Sequence, residues 1–466
     1  MVVSKVAWKN EKENVMKRWL KWILSIIGAL VVILVVYVAW NWSSFSIIAG
    51  TEELSGISSA IPEVVSVETE PLQYGDSDWV SWYGPDGDRH AKTKGIRTDW
   101  SKGLIILWEV DYLCQGTGSA AWSAPVIQGN RLVICGRDSD YDLIFCLDPA
   151  DGSLRWYQSY VTKAQTSHGS GPRATPFIDK DRVYTFGRNG DLACWRLLDG
   201  ESLWRKNVTD EGGEEPTWGH SSSPLILGNF VVVQGGGSCR TIAYDKYTGE
   251  VVWKSGSGLA GYAALTAMEM ADTQTLLAFH GKGLAALTVD KGTELWNVDW
   301  ETSYDVNATT PLVINESVFI TSGYGTGSML LKVNIDGAES LWRSEAFSSI
   351  HSDPYVIDGF IYGYSGDSFQ NKGAFKCIDL NSGKEKWSTN EIGWGTCVFV
   401  DGHLLCGDIK GNIFLIKPRP DEFIKVTSLP SALGDIKGPV WTTPVVSNKH
   451  LYLRFKQKLV CYDIVG

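Results

Sequence analysis

The stretch "DPADGSLRW" (residues 148–156) returns as "DKYTGEVVW" (245–253) and again as "DLNSGKEKW" (379–387). Each copy reads Asp, three residues, Gly, three residues, Trp. A phrase that recurs at intervals along one chain indicates an internal structural repeat rather than an isolated motif. The phrase is therefore the unit from which the fold of this chain can be inferred.

Tryptophans that close a similar phrase recur at spacings of 43 to 49 residues. They are Trp108, Trp156, Trp204, Trp253, Trp296, Trp342 and Trp387. Two short apolar runs about a tight turn precede each full phrase, as in "APVIQGNRLVICG" (124–136), and this pattern predicts a β-hairpin. A third strand leads into the phrase and a fourth carries the Trp. Four short strands in every 40 to 50 residues predict one blade of a β-propeller.

Eight such hairpins can be counted. They start near Ala124, Ala174, Ser222, Leu265, Thr309, Ser352, Gly395 and Thr442. The last unit ends at residues 458–464 without a fourth strand, whereas residues 104–110 carry a Trp with no hairpin before them. We expect this N-terminal strand to complete the last blade, because closing the ring removes its exposed edges. The predicted fold class is all-β, an eight-bladed propeller over residues 79–466.

The residues of the phrase have separate physical roles. The Asp begins the turn between the third and fourth strands, where its carboxylate accepts backbone N–H groups. The Gly supplies the positive φ that the turn needs. The Trp is large enough to fill the wedge between neighbouring blades, and its indole N–H then needs a buried acceptor. We interpret the seven tryptophans as structural blade-docking residues without a catalytic role.

The N-terminus predicts a membrane anchor. Residues 1–21 are basic, and the run from Trp22 to Trp40 is apolar and uncharged. As a helix this run spans about 28 Å, close to the hydrocarbon thickness of a bilayer. The basic flank places residues 1–21 in the cytoplasm and the propeller in the periplasm or another extracytoplasmic space. The alternative is a cleaved signal peptide, whose apolar region is usually shorter. Residues 41–78, polar and acidic, are predicted to form a linker.

The net charge argues against a nucleic-acid-binding protein, and the positions of the cysteines argue against a disulfide-bonded one. The net charge of −11 argues against nucleic acid as a partner, because phosphate binding needs a basic face. Four of the nine cysteines share one repeat position on the third strand. They are Cys146, Cys194, Cys377 and Cys461. We interpret them as small buried hydrophobic residues, since equivalent positions in different blades are too far apart for disulfides.

Segments that enter the first strands are the candidate binding site, because they meet over one end of a propeller channel. They carry Trp122, Arg173, His220, His351, Trp394 and Trp441. Tryptophans can stack on a ligand or partner, and Arg and His can bind an anion, so these residues predict a binding funnel. The alternative is that they cap the first strands and plug the channel. Equivalent positions in eight blades lie on a wide circle, so we predict no metal site, and we assign no catalytic residue.

The phrases, the blade count and the ring closure resemble the PQQ-like β-propeller repeat family over residues 79–466. This family includes quinoprotein alcohol dehydrogenases, which use pyrroloquinoline quinone (PQQ), and outer-membrane assembly lipoproteins of the BamB type. Residues 78–100, "DWVSWYGPDGDRHAKTKGIRTDW", resemble the segment that precedes the first blade in bacterial members. The resemblance implies a protein of the bacterial cell envelope.

The chain lacks several features of this family, and these differences indicate whether it is a dehydrogenase or a binding scaffold. The chain has no adjacent cysteine pair, no Cys-x-x-Cys-His, and no residue-by-residue match to the calcium ligands of quinoproteins. Its first cysteine, Cys114, lies too far along for a lipid anchor. We therefore favour a binding scaffold over an enzyme, with envelope proteins as partners and a small-molecule ligand as the other option. The alternative is a PQQ- and calcium-dependent alcohol or sugar dehydrogenase. A hydrolase has no supporting motif.

Overall fold

A computed structural model describes residues 60–64, 70–116, 118–162, 168–367 and 372–466. The basic tail (1–21), the predicted transmembrane helix (22–40) and most of the linker (41–78) lie outside these residues. Within the described part of the chain, no helix has the length and apolarity needed to cross a bilayer. The ordered contacts begin before residue 79, because Arg155 forms an ion pair of 2.9 Å with Glu70.

The described chain forms eight four-stranded antiparallel sheets, which are the blades of an eight-bladed propeller, and two of them carry one additional short parallel strand. Three short strands precede the first blade: β1 (His90–Ala91), β2 (Ile105–Val110) and β3 (Cys114–Gln115). Blades 1 and 2 contain β4 (Val126–Gln128), β5 (Arg131–Asp138), β6 (Tyr141–Leu147), β7 (Leu154–Val161), β8 (Phe177–Asp179), β9 (Arg182–Phe186), β10 (Asp191–Arg196) and β11 (Ser202–Asn207). Blades 3 and 4 contain β12 (Leu225–Leu227), β13 (Phe230–Gln234), β14 (Thr241–Asp245), β15 (Val251–Ser255), β16 (Thr266–Met270), β17 (Thr273–His280), β18 (Gly283–Thr288) and β19 (Glu294–Asp299).

Blades 5 and 6 contain β20 (Leu312–Ile314), β21 (Ser317–Ser322), β22 (Gly327–Asn334), β23 (Gly337–Ser344), β24 (Tyr355–Ile357), β25 (Phe360–Asp367), β26 (Lys372–Asp379) and β27 (Glu385–Thr389). Blade 7 contains β28 (Gly395–Val400), β29 (His403–Asp408), β30 (Ile413–Lys417) and β31 (Ile424–Leu429). Blade 8 contains β32 (Val445–Ser447), β33 (His450–Phe455) and β34 (Lys458–Asp463). Two 3₁₀ turns, Val208–Glu211 and Ser303–Asp305, lie in loops between blades.

The N-terminal strand closes the ring as the sequence predicts. Strand β2 pairs antiparallel with β34, with Ile105 opposite Asp463 and Val110 opposite Leu459. Blade 8 therefore takes its fourth strand from the beginning of the repeat region and its other three from the end of the chain. The eight-bladed, all-β prediction is confirmed.

The turn of the repeated phrase is stabilised as its sequence suggests. In blade 1 the Asp148 carboxylate accepts the backbone N–H of Ala150 at 2.8 Å. The N–H of Gly152 donates to the carbonyl of Asp148 at 2.9 Å. Gly152 has φ of 75°, a left-handed conformation that a glycine adopts without steric cost.

Each Trp of the phrase contacts the following blade rather than its own turn. The seven indole N–H groups donate to carbonyls of the next blade at 2.9 to 3.1 Å. The pairs are Trp108 with Pro149, Trp156 with Leu197, Trp204 with Lys246, Trp253 with Val289, Trp296 with Asn334, Trp342 with Leu380, and Trp387 with Arg419. The first five rings are buried, whereas Trp342 and Trp387 are half-buried.

The glycine of each full phrase lies directly against the Trp of the preceding blade. A Cβ added to Gly249 would come within 2.7 Å of the Trp204 ring, and one added to Gly383 within 2.6 Å of Trp342. Such distances are far below van der Waals contact. The glycine is therefore required twice, once by its positive φ and once by the neighbouring ring.

The segment before the first blade fills part of the central channel. The Trp79 carbonyl accepts the N–H of Ile127 in blade 1 at 2.8 Å. The Trp82 indole donates to the Thr310 hydroxyl, next to blade 5, at 3.0 Å. Arg89 forms a buried ion pair with Asp353. Strand β1 pairs in parallel with β28 of blade 7. One short segment thus ties together the inner strands of blades on opposite sides of the ring.

The same segment places a tryptophan beside the one blade position where the repeat lacks its Trp, although the Trp100 indole donates to the Arg97 carbonyl at 2.9 Å and not to the next blade. In blade 7, Thr427 stands opposite Leu415 on the third strand, next to the bulge that follows Leu415. This is the position that Trp occupies in other blades. The backbone N–H of Trp100 donates to the Thr427 hydroxyl at 3.3 Å. The Trp100 ring is 3% exposed and belongs to the core shared by blades 1, 7 and 8.

Candidate functional site

Strand direction assigns every loop to one of two ends of the propeller. Connections from a fourth strand to the next first strand, and turns between second and third strands, lie together at one end, which we call the loop end. The Asp-x₃-Gly turns and the hairpins between first and second strands lie at the other, the turn end. All six residues of the predicted funnel belong to the loop end.

Four of these six residues form one cluster of rings, the aromatic quartet of Trp122, Trp441, His351 and Trp394. Ring centroids of Trp122 and Trp441 lie 4.8 Å apart. His351 meets Trp394 at 4.7 Å and Trp441 at 5.9 Å, both edge to face. Trp122, His351 and Trp441 are half-buried, whereas Trp394 is fully buried. Loops of blades 1, 6, 7 and 8 thus converge on this quartet.

Arg173 and His220, the remaining two predicted funnel residues, lie in neighbouring loops and are not part of the aromatic quartet. The Arg173 guanidinium donates to the carbonyl of Trp218 and, at 3.3 Å, to that of Gly169. Burial, together with the nearby charge of Arg188, lowers the pKa of Arg173 to about 9. His220 packs against Phe186 with centroids 5.0 Å apart, and burial lowers its pKa to about 4. His220 is therefore a neutral ring at pH 7.

Two buried arginines that the sequence reasoning missed lie near Arg173. Arg137 pairs with Asp142 at 2.8 Å, and Arg188 pairs with Glu215 at 3.3 Å. Both arginines occupy the same position, one residue after a glycine at the end of the second strand. This repeat position was the signal that could have identified them. They support the loops that carry Arg173 and His220.

A second aromatic group, also missed, covers the loop end of blades 3 to 5. We call Trp218, Tyr262, Tyr304 and Tyr324 the aromatic ladder. Centroids are 6.3 Å apart for Trp218 and Tyr262, 6.0 Å for Trp218 and Tyr304, and 5.5 Å for Tyr304 and Tyr324. Tyr304 is 69% exposed. These residues lie at positions that do not align between blades, so the repeat gave no signal for them.

A cleft of about 790 Å³ lies between blades 6 and 7 at the loop end. Lys376, Glu391, Trp394, Asp408 and Asn412 are among its lining residues. Its charged groups are largely paired, Lys376 with Glu385 at 2.7 Å and Glu391 with Lys425 at 2.9 Å. The cleft adjoins the aromatic quartet through Trp394.

One small cavity adjoins the described part of the N-terminal segment. A cavity lined by Trp82, Arg89, Asp353 and Tyr355 has a volume of about 20 Å³. Ligand pockets commonly have volumes of about 300 to 1,000 Å³. Among the described residues, no group of three or more His, Cys, Asp or Glu side chains is arranged to hold a metal ion. The nine cysteines are free and buried.

Comparison with known proteins agrees with this architecture. The sequence profile of the family described as "Outer membrane protein assembly factor BamB" matches residues 142–389. The outer membrane protein assembly factor BamB of Burkholderia pseudomallei (strain K96243) is 22% identical over 327 residues, which cover 66% of this chain and 77% of that protein.

Solved structures share the fold at low sequence identity. BamB from Moraxella catarrhalis superposes with a TM-score of 0.53 at 16% identity, covering 73% of this chain and 94% of that one. Quinohemoprotein alcohol dehydrogenase from Comamonas testosteroni superposes with a TM-score of 0.59 at 13% identity, covering 84% and 81%. The profile match extends over more than half of the chain. The chain therefore belongs to the family of outer membrane protein assembly factor BamB, within the PQQ-like β-propellers.

Proposed function

We propose that this protein is a binding scaffold of the bacterial cell envelope that holds partner proteins at the loop end of its propeller. The observation that carries the proposal is the combination of a filled channel and a loop end rich in aromatic rings. The N-terminal segment fills part of the channel, and the loop end presents aromatic rings together with a cleft of about 790 Å³ beside Trp394. Exposed aromatic anchors commonly dominate the energetics of protein interfaces. The names of the BamB relatives point to the same kind of role.

We further propose that residues 22–40 anchor the protein as a single-pass membrane helix, with the propeller outside the cytoplasm. The basic flank of residues 1–21 supports this orientation. Protease added to intact spheroplasts should digest the propeller and leave the first 20 or so residues protected. A protected propeller would overturn the orientation, and an N-terminus that begins near residue 50 would show cleavage instead of anchoring.

The alternative function, a PQQ-dependent dehydrogenase, fits the described residues of the channel poorly. A planar tricyclic quinone needs a flat slot and a cation beside its carbonyls. Trp82 and the ion pair of Arg89 with Asp353 occupy the channel between the inner strands. The structural likeness to quinoproteins is at 13% identity and concerns the fold alone. We therefore derive no catalytic step for this protein.

Photocrosslinking in cells tests the scaffold proposal. A benzophenone amino acid at position 441, at the loop end, should crosslink to defined envelope proteins that mass spectrometry can identify. The same label at position 247 is the matched control, because Tyr247 lies in an exposed turn at the turn end. Equal crosslinking from both ends, or none from position 441, would contradict binding at the loop end.

A further inference from the structure

We infer that the aromatic ladder of blades 3 to 5 is a docking surface for a partner segment that carries Lys or Arg next to an apolar residue. The inference rests on the proposed scaffold function and names the chemistry of one partner. It concerns four aromatic residues that are not among the six predicted funnel residues, although Arg173 of that set donates to the carbonyl of Trp218.

The ladder has the form of an interface anchor. Its rings meet mostly edge to face, with interplanar angles of 67°, 83° and 63° along the series. This arrangement is typical of mutually supporting aromatic pairs. Tyr304 is 69% exposed, and Leu259, which lies in the same loop as Tyr262, is 38% exposed. Exposed aromatic and apolar side chains grouped in this way are typical of interaction sites.

Backbone conformation sets Tyr304 apart from ordinary surface tyrosines. Tyr304 has φ of 62° and Asp305 has φ of 57°, so two consecutive non-glycine residues are left-handed. Tyr324 is also left-handed, with φ of 57°. Such conformations are unfavourable for residues with a Cβ and are concentrated at binding sites, where the surrounding structure maintains them.

The charged side chains around the ladder indicate the charge of the partner segment. The loops that carry Trp218 and Tyr304 also carry the exposed carboxylates of Asp210, Glu214 and Glu301. The cations of this region are engaged within the chain. Lys254 pairs with Glu211 at 2.7 Å, and Lys282 pairs with Asp305 at 2.8 Å and with Glu301 at 3.9 Å. Arg173 donates to the carbonyl of Trp218. The surface around the ladder therefore has an excess of negative charge. A segment that presents cations on either side of an apolar side chain is complementary to it.

Synthetic peptides give a direct test with the full-length protein in detergent. Three 12-residue peptides share one apolar Leu-Pro-Leu-Trp core and differ in flanks of Lys/Arg, Asp/Glu or Ser/Gly. We expect fluorescence anisotropy to show that the basic peptide binds at least tenfold more tightly than the acidic one, and that added salt weakens its binding. Tyr304→Ala should weaken it at least tenfold, whereas Tyr304→Phe should retain most of it.

Tyr247→Ala is the matched control, because it removes a 49% exposed tyrosine from the turn end of blade 3. It should leave peptide binding unchanged. Exchanging the flanking charge with Asp210→Lys and Glu214→Lys should weaken the basic peptide and strengthen the acidic one. Thermal melting checks that each variant is folded.

Three results would overturn the inference: no binding of any peptide, equal binding of acidic and basic peptides, or equal loss in Tyr304→Ala and Tyr247→Ala. These results are distinguishable from failure of the scaffold function. If crosslinks from position 441 to envelope proteins persist while peptide binding shows no charge preference, the scaffold proposal stands and the ladder inference fails.

Discussion

At the scale of single residues, the repeated phrase acts between blades. The sequence predicts that the Trp fills the wedge between neighbouring blades, without identifying the residue that it meets there. In the structure the Trp204 ring lies against Gly249 of the next phrase, 45 residues further along. Sequence pattern alone could not reveal this, because periodicity gives the spacing of residues and not which copy of the repeat each residue contacts.

A double-mutant cycle at this pair measures the docking role that we propose for the tryptophans. Trp204→Ala should lower the free energy of unfolding by about 3–5 kcal/mol, because it removes a buried ring from a blade interface. Gly249→Ala should also destabilise the protein, because the added methyl group collides with the Trp204 ring and because alanine disfavours the positive φ at this position. In the Trp204→Ala background only the backbone cost remains, so the two effects should be non-additive by about 1–3 kcal/mol. Strict additivity in denaturant unfolding would contradict docking between phrases.

His220 predicts a defined pH dependence. Burial lowers its pKa from 6.5 to about 4, so the unfolded chain takes up the proton first. Its contribution to stability is therefore fully present above pH 6.5 and is lost as the pH falls toward 4. At pH 5 the loss is about 2 kcal/mol. In His220→Gln the decrease in unfolding free energy between pH 7 and pH 5 should be smaller by that amount. An unchanged decrease would show that His220 takes up its proton equally in both states.

At the scale of elements, the repeat made the blades predictable and left the non-repeating segments unpredictable. Hairpin patterns and the two incomplete ends were sufficient for the blade count and for the pairing of β2 with β34. Residues 79–100 occur once and have no period, so nothing in the sequence showed that Trp82 would lie beside Thr310, 228 residues away. Four of the six predicted funnel residues meet because they come from the consecutive blades 6, 7, 8 and 1. Arg173 has the same repeat position in blade 2 but donates to the carbonyl of Trp218 instead.

Trp100 should stabilise the seam between blades 7 and 8, where the repeat has Thr427 instead of Trp. Trp100→Ala removes a ring that is 3% exposed, and we expect a loss of about 3–5 kcal/mol. Native-state hydrogen exchange should become faster in β31 and β34, while the strands of blades 3 and 4 keep their protection. Unchanged exchange in β31 and β34 would mean that Trp100 does not support this seam.

At the scale of the whole molecule, closure and channel filling point to the same functional conclusion. Strand β2 joins the two ends of the ring, and the segment before it occupies the channel between inner strands of opposite blades. A propeller built in this way is a closed ring whose loop end carries the aromatic quartet and the aromatic ladder. The solved quinohemoprotein alcohol dehydrogenase shares the fold at 13% identity, and fold alone does not determine activity.

The most direct measurement is therefore a dye-linked oxidation assay on the purified full-length protein with added PQQ and calcium. We predict no PQQ-dependent reduction of the dye with alcohols or aldose sugars, while crosslinking of envelope proteins from position 441 is retained. Robust PQQ-dependent turnover that disappears when Trp122 and Trp441 are both replaced by alanine, in a variant that still melts cooperatively, would contradict the scaffold function and establish a dehydrogenase.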